Sequence, residues 1–185
     1  MSRAAAELRG RKVRKVAVFG NAGGGKSTLA RKLAELTRLP FFPLDMIQYR
    51  ASGAVPRDEY LKAHAELLKR DAWIIEGYGC RKSAWERFAS ADTLVYIDLP
   101  LVTHFLWITK RLFNGFFRTP EGWPEGSPMI GSTISSYRVL WSCHRYLTPK
   151  YRELVFDAQH HKRVYHLRSP AEIDVFLATV KRETR

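Results

Sequence analysis

The residues best suited to chemistry form one short run near the start of the 185-residue chain. Residues 20–27 read GNAGGGKS, so that a lysine and a hydroxyl directly follow the glycines. This order matches the pattern G-x-x-x-x-G-K-[ST], in which glycines let backbone N–H groups turn towards a phosphate. The lysine would bring its charge to the β- and γ-phosphates, and the serine hydroxyl would meet Mg²⁺. The run therefore predicts a site for a nucleoside triphosphate with Mg²⁺.

The whole loop and the residue after it are predicted to contact the nucleotide. A helical pattern follows the loop, and the N-terminus of that helix would add a partial positive charge beneath the phosphates. The predicted binding residues are Gly20, Asn21, Ala22, Gly23, Gly24, Gly25, Lys26, Ser27 and Thr28. Lys26 is also predicted to be catalytic, because phosphoryl transfer depends on positioning and on neutralising charge.

Three carboxylates come directly after apolar runs that read as strands: Asp45, Glu76 and Asp98. In open α/β sheets, ligands bind outside the carboxyl ends of the strands. We expect Glu76 to hold a metal-bound water and so to form the Mg²⁺ site with Ser27. Asp45 either shares that role or orients an acceptor hydroxyl as a base. The alternative for each carboxylate is that it caps a helix or a turn, and this alternative weighs most for Asp98.

Strand and helix signals alternate along the chain, which predicts an α/β fold with a parallel sheet covered on both faces. The strands are continuous apolar runs, as expected where both faces are buried. We predict strands near 13–19, 40–44, 73–75, 93–97 and 163–167, and helices near 58–70, 83–90, 101–113 and 137–158, with a further helix at the C-terminus. Residues 114–136 are rich in Gly, Pro and Ser and read as a loop.

The charge of the chain is +13, which favours anionic partners such as nucleic acid, anionic lipid or phosphorylated small molecules. Residues 1–15 carry six basic residues and one acidic residue, and residues 104–168 carry ten and four. We predict that residues 1–12 form a basic flexible tail and that 13–185 form a single domain. Two cysteines, no long apolar run and no signal-peptide pattern predict a cytoplasmic protein without a membrane segment.

Short sequence motifs, present or missing, narrow the class of nucleotide-binding protein. A small GTPase needs an Asn/Thr-Lys-x-Asp element and a D-x-x-G switch, and the sequence has neither. The spacing of Gly20, Gly23 and Gly25 instead fits small nucleoside-monophosphate-type kinases, and Glu76-Gly77 resembles the Asp-Gly of adenylate kinase. Together with fragments at 44–45, 92–93, 97–100, 110–111, 124–128, 146–150 and 167–169, the chain resembles the adenylate kinase-related proteins known as DNA topology modulation proteins.

This resemblance covers about residues 13–181 and implies a P-loop NTPase fold. The implied architecture has three α/β/α layers around five parallel strands in the order 2-3-1-4-5, with an ATP site and an arginine-bearing lid at about 114–136. In that case Arg111 and Arg118 would close on the triphosphate and stabilise charge in the transition state. The alternative for these arginines is a solvated basic face. Arg168, which leaves the last strand, is expected to border the adenine.

Two functions remain open from the sequence. The first is an ATP-dependent kinase that passes the γ-phosphoryl group to a small-molecule or nucleotide acceptor. The second is a nucleic-acid-associated ATP-binding protein that influences DNA topology, for which the net charge is the motive. The sequence shows no helix-turn-helix, zinc finger or aromatic RNA-binding signature, so the first hypothesis is favoured.

Overall fold

The computed structural model describes residues 13–50, 53–115 and 129–184, and at 111–115 and 129–135 it describes the backbone alone. Within these residues, strands and helices alternate as predicted. The strands are β1 (Lys15–Gly20), β2 (Phe41–Pro43), β3 (Tyr49–Arg50), β4 (Gly53–Ala54), β5 (Trp73–Glu76), β6 (Thr93–Ile97) and β7 (Arg163–Leu167). The helices are α1 (Lys26–Thr37), α2 (Asp45–Gln48), α3 (Arg57–Lys69), α4 (Arg81–Ser90), α5 (Leu101–Gly115), α6 (Met129–Tyr146), α7 (Thr148–Ala158) and α8 (Pro170–Glu183).

Five of the strands form one parallel sheet in the order β2-β5-β1-β6-β7. Counted along the chain, this is the order 2-3-1-4-5, so the predicted fold is confirmed. The register pairs Val18 with Glu76 and Gly20 with Ile97. The ends of β5 and β6 therefore flank the end of β1, where the glycine loop begins. Strands β3 and β4 pair separately as a small antiparallel ribbon.

Alternate residues of the sheet build two separate cores. Ala17 and Phe19 of β1 face a core to which α3, α4 and α7 contribute. Val16 and Val18 face the opposite core, which α1 and α8 complete. All four side chains are almost fully buried, which explains why the strands read as continuous apolar runs.

The boundaries around the predicted lid differ from the sequence expectation. The predicted loop at 114–136 is wrong over 129–136, because α6 already begins at Met129. Gly131 and several hydroxyl residues give the start of α6 a weak intrinsic helix preference, but α6 packs along α5, and tertiary packing outweighs propensity. The single helical stretch predicted at 137–158 is two helices, which meet at Leu147. Residues 116–128 and the predicted tail at 1–12 lie outside the described residues.

Among the helices that the structure describes, none is both long and apolar enough to cross a bilayer.

Candidate active site

The glycine loop connects β1 to α1 and takes a conformation that only glycine adopts readily. Gly23 and Gly25 have φ angles of +69° and +71°, in the left-handed region. Gly25 is also the N-cap of α1, and no side chain caps that end. The first turn of α1 carries no acidic residue. The free N–H groups and the positive end of the helix dipole are therefore available to an anion at this point.

Lys26 and Asn21 hold the loop in a closed cradle. The Lys26 ammonium donates a hydrogen bond to the Asn21 carbonyl oxygen, five residues back, at 2.9 Å. The Asn21 side chain accepts from the Ala22 N–H at 2.8 Å and donates to the Leu140 carbonyl of α6 at 3.1 Å. Asn21 is only 6% exposed. Hydrogen bonds between the loop's own polar groups thus hold the loop in place, and the Lys26 side chain lies across it.

Helix α5 rests directly on the loop, which the sequence did not indicate. The carbonyl of Ala22 can only accept, so His104 Nδ1, 2.9 Å away, carries the proton and donates to it. Burial lowers the pKa of His104, which keeps its imidazole neutral near pH 7. A Cβ atom at Gly25 would lie 3.1 Å from Trp107 Cζ3, tighter than most contacts. The apolar pattern of 101–113 predicts a buried helix, and this is wrong for one side of α5, where Val102, Phe105 and Leu106 are more than half exposed.

Ser27 and Glu76 form the pair that was predicted to hold Mg²⁺. The Ser27 hydroxyl donates to Glu76 Oε2 at 3.1 Å. Glu76 is only 5% exposed, and burial raises the pKa of its carboxyl, while the charge of Lys26 offsets part of that effect. Asp45, the first residue of α2, is exposed and near enough to raise the pKa of Glu76 further. The structure therefore brings all four predicted residues to one edge of the sheet.

The oxygen ligands at this edge of the sheet suit Mg²⁺, which binds one or two carboxylates and keeps several waters. A hydroxyl from Ser27 and a carboxylate from Glu76 meet beside the loop, with Asp45 nearby. Among the described residues, no group of three or more His, Cys, Asp and Glu side chains could cage a metal on its own. The set fits a metal that shares its coordination with phosphate oxygens, as in nucleotide sites.

Arg87 is a site residue that the sequence analysis missed. Its guanidinium is fully buried and donates to the Gly77 carbonyl at 2.7 Å, which fixes the chain directly after Glu76. Its Nε and Nη1 atoms have no hydrogen-bond partner. Burial lowers the pKa of Arg87 to about 10, so it stays charged at neutral pH. A single arginine in a short amphipathic helix gives no sequence signal of such burial.

Asp98 lies at the corresponding end of β6 but faces other partners. Arg152 donates to both of its oxygens, from Nε at 2.8 Å and Nη2 at 3.1 Å. His166 Nε2 lies 2.8 Å from Oδ2. Burial alone would raise the pKa of Asp98, but the hydrogen bonds from Arg152 and His166 outweigh it and lower the pKa. Arg168, predicted at the adenine, contacts His166 Nδ1 at 3.3 Å and so belongs to this group.

Three predicted site residues remain to be located: Thr28, Arg111 and Arg118. Thr28 is exposed in the first turn of α1, next to Ser27. Arg111 lies within α5, the helix that covers the loop. Arg118 falls in the segment 116–128, outside the described residues. The described residues therefore leave the roles of both lid arginines as predictions.

The fold matches that of solved P-loop kinases. A shikimate kinase from Acinetobacter baumannii in complex with shikimate superposes with a TM-score of 0.59 at 18% identity, over 97% of this chain and 96% of that chain. A shikimate kinase from Bacteroides thetaiotaomicron gives 0.55 at 14% identity, over 93% and 98%. At these identities the similarity establishes the fold. No protein-family model matches the chain, and no curated protein matches it either.

Proposed function

We propose that the chain is an ATP-dependent phosphotransferase that passes the γ-phosphoryl group to the hydroxyl of a small molecule. The observation that carries this proposal is the Ser27–Glu76 pair beside a closed glycine loop. A bare anion-binding turn would need neither the hydroxyl nor the buried carboxylate. The fold shared with two shikimate kinases supports the same reaction class. Membership of the adenylate kinase-related topology modulation family is part of this proposal.

The loop would hold the phosphates through its N–H groups and the N-terminus of α1. Lys26 would leave the Asn21 carbonyl and turn its charge onto the β- and γ-phosphates, close to its present position. Mg²⁺, when bound, supplies charge neutralisation on the β- and γ-oxygens. Ser27 and Glu76 would hold it directly or through water. Arg111 and Arg118 would add positive charge to the transferring group.

The acceptor would lie between the ends of β2 and β5. The Leu44 N–H donates to the Glu76 carbonyl at 2.9 Å, so the chain enters α2 beside the metal pair. This places Asp45 at the start of α2, exposed, where its carboxylate would orient an acceptor hydroxyl. The buried Arg87 would keep the Gly77 backbone fixed beneath that acceptor. Arg168 stays our prediction for the adenine side. No feature of the described residues favours the nucleic-acid alternative.

The proposal is tested by measuring ADP release from Mg-ATP in the presence of a panel of acceptors. The panel should contain shikimate, other polyhydroxy acids, sugars, nucleosides and nucleoside monophosphates. With the right acceptor, Lys26→Met should lower turnover about 10²- to 10³-fold, because one charge-stabilising donor is lost. Lys32→Met is the matched control, since it removes an exposed lysine from the same helix. Its turnover should stay near that of the wild type.

Direct binding separates the site from the choice of acceptor. Titration calorimetry with Mg-bound non-hydrolysable ATP should show binding to the wild type and to Lys32→Met, and much weaker binding to Lys26→Met. If the wild type binds no nucleotide, or if all three proteins bind it equally, the proposed function is wrong. If nucleotide binds as expected and the panel gives no ADP, the acceptor class is wrong.

A further inference from the structure

The side of α5 that is turned away from the phosphate loop presents apolar side chains to solvent. His104 and Ile108, four residues apart, contact the loop. Val102 and Leu106, also four residues apart, occupy the opposite side of the helix and are more than half exposed. This exposed side of α5 is therefore separate from the nucleotide site that the other side covers.

Helix α6 extends the apolar surface. The Tyr137 ring stacks on Phe105 with 4.6 Å between the ring centroids, and its hydroxyl lies 2.6 Å from the Thr109 hydroxyl. Trp141 follows Tyr137 by four residues on the same side of α6, and both Trp141 and Phe105 are more than half exposed. The surface that results, the α5–α6 face, consists of Val102, Phe105, Leu106, Tyr137 and Trp141.

Exposed apolar side chains are concentrated in these two helices. Six of the eleven large hydrophobic residues that the described part of the chain exposes lie on α5 and α6, and the other five are scattered over five different segments. Single exposed apolar residues are normal, whereas a contiguous apolar patch marks a site of interaction. The α5–α6 face is thus a candidate docking surface.

The charges at this surface select an anionic partner. The spacing of Val102 and Leu106 continues to Lys110, and that of Tyr137 and Trp141 continues to Arg145, so each apolar stripe ends in an exposed cation. Helices α5 and α6 contain four basic residues and no Asp or Glu. Residues 116–128 between them add one basic and two acidic residues, which leaves a surplus of three positive charges over 101–146.

Neighbouring acidic residues do not cancel this surplus. Asp98, which precedes α5, is nearly buried and accepts hydrogen bonds from Arg152. Glu153 of α7 follows Lys150 by three residues, so it offsets that lysine, which lies outside the two helices. Among the described residues, no carboxylate forms a salt bridge with a basic residue of α5 or α6.

The mixture of side chains favours anionic lipid over other anionic partners. Val102 and Leu106 offer neither a hydrogen bond nor a ring on which a nucleic-acid base could stack, but they gain by entering the interfacial layer of a bilayer. Tyr137 and Trp141 are of the two residue types that are enriched at that interface. A second copy of the chain would bring two charges of +13 and the same basic residues together.

We propose that the α5–α6 face docks on the surface of an anionic phospholipid bilayer. Its apolar side chains enter the headgroup layer, while Lys110, Arg138 and Arg145 pair with lipid phosphates. The long stems of these basic residues reach the headgroups without burying their charges. The contact is peripheral, because no helix that the structure describes could cross a bilayer. It does not depend on the proposed phosphotransfer reaction.

Co-sedimentation of the full chain with lipid vesicles tests the proposal. One vesicle contains phosphatidylcholine alone, and the other contains phosphatidylcholine with about 30% phosphatidylserine, both at about 0.1 M salt. The chain should bind the anionic vesicle about 10-fold or more tightly than the neutral one, because the basic residues contribute only there. Absence of binding to the anionic vesicle, or equal binding to both, would overturn the proposal.

Apolar variants separate the α5–α6 face from the general charge of the chain. Val102→Ser and Leu106→Ser should each weaken binding to the anionic vesicle about fivefold, since each removes apolar surface that enters the lipid. Val175→Ser on α8 is the matched control, because Val175 is 65% exposed and Val102 is 68% exposed. If all three variants bind like the wild type, net charge alone attracts the chain and the proposal is wrong.

Charge variants test the basic residues in the same assay. Lys110→Gln should weaken binding to the anionic vesicle about threefold to fivefold, since one contact with lipid phosphate is lost. Lys181→Gln removes an exposed lysine from α8, at a distance from the face, and should have a smaller effect. Equal effects of the two substitutions would overturn the assignment of Lys110 to the docking surface.

Further measurements distinguish other occupants of the face. Anionic vesicles with brominated acyl chains should quench the tryptophan emission of the wild type more than that of Trp141→Phe, because Trp141 enters the lipid. Equal quenching would overturn the proposed orientation. A dimer in sedimentation equilibrium that Leu106→Ser dissociates would overturn the proposal in favour of a second copy. Binding of single-stranded DNA that Leu106→Ser weakens would overturn it in favour of nucleic acid.

Discussion

Glu76 and Asp98 both lie at the carboxyl ends of strands that flank β1, and they have different surroundings. Glu76 is the last residue of β5 and Asp98 directly follows β6, and both side chains are almost fully buried. Glu76 meets the Ser27 hydroxyl and the charge of Lys26, both of which belong to the phosphate loop. Asp98 is held instead by Arg152 and His166, from α7 and β7. The pKa of Glu76 is raised and that of Asp98 is lowered.

This difference teaches that the end of a strand does not by itself define a role. A carboxylate whose own hydrogen bonds are satisfied by guanidinium and imidazole is stable and has little capacity left for a metal. A buried carboxylate whose charge is only partly compensated is ready to take up a cation. Glu76 therefore has the character of a functional group, and Asp98 has that of a structural anchor.

The largest effect that separates the two carboxylates should appear in turnover. Glu76→Gln should lower kcat/KM for phosphoryl transfer about 10²-fold, because the charge that faces the metal is lost while the shape is kept. Asp98→Asn should change it by less than about fivefold, which corresponds to roughly 1 kcal/mol. The measurement is ADP release at varied Mg-ATP. Equal losses in the two variants would remove the functional distinction between the two strand ends.

A smaller and opposite effect should appear in stability. Asp98→Asn should lower the free energy of unfolding by about 1–2 kcal/mol, since Arg152 and His166 lose a charged acceptor and Arg152 is largely solvated. Glu76→Gln should change it by less than about 1 kcal/mol, since its neutral amide avoids burying a charge. Urea unfolding at pH 7 measures both quantities. A greater loss of stability in Glu76→Gln would contradict our assignment of Asp98 as the anchor.

The smallest effect is the pH dependence of stability, which should have opposite signs. The lowered pKa of Asp98 contributes stability above the ordinary value of 3.8, and that contribution is lost as the pH falls through the folded-state pKa. The raised pKa of Glu76 contributes stability below the ordinary value of 4.5, and that contribution is lost as the pH rises through the folded-state pKa.

Thermal unfolding of each variant from about pH 3 to pH 8 measures these contributions as differences from the wild type. The deficit of Asp98→Asn should shrink as the pH falls below 3.8, whereas Glu76→Gln should improve relative to the wild type as the pH rises above 4.5. The buried His64, whose pKa is lowered to about 4, titrates in the same range and is common to all three proteins. Parallel curves would contradict the prediction.

The sequence allowed the sheet and the loop to be predicted because both depend on local patterns. Continuous apolar strands and the glycine spacing depend only on residues that are neighbours in the sequence. The strand order followed from the resemblance to the adenylate kinase-related proteins. The start of α6 could not be predicted, because its weak helix formers are stabilised by packing along α5. A local pattern cannot contain that contact.

The site was predictable in its acidic and glycine residues and not in its supporting ones. Ser27, Glu76 and Asp45 follow directly from the loop motif and the strand ends. His104 and Arg87 act through distant parts of the chain, and their roles depend on burial that no spacing reveals. Asp98 shows the converse, since it also lies at a strand end while its partners are 54 and 68 residues away.

The contact between Trp107 and Gly25 gives the protein an optical reporter of its own. The indole borders the left-handed glycine that starts α1, so a ligand that moves the loop would change the ring's environment and its fluorescence. The chain has five tryptophans, and comparison with a Trp107→Phe variant would isolate the signal from this one. Ligand occupancy at the loop can thus be followed in real time without an attached dye.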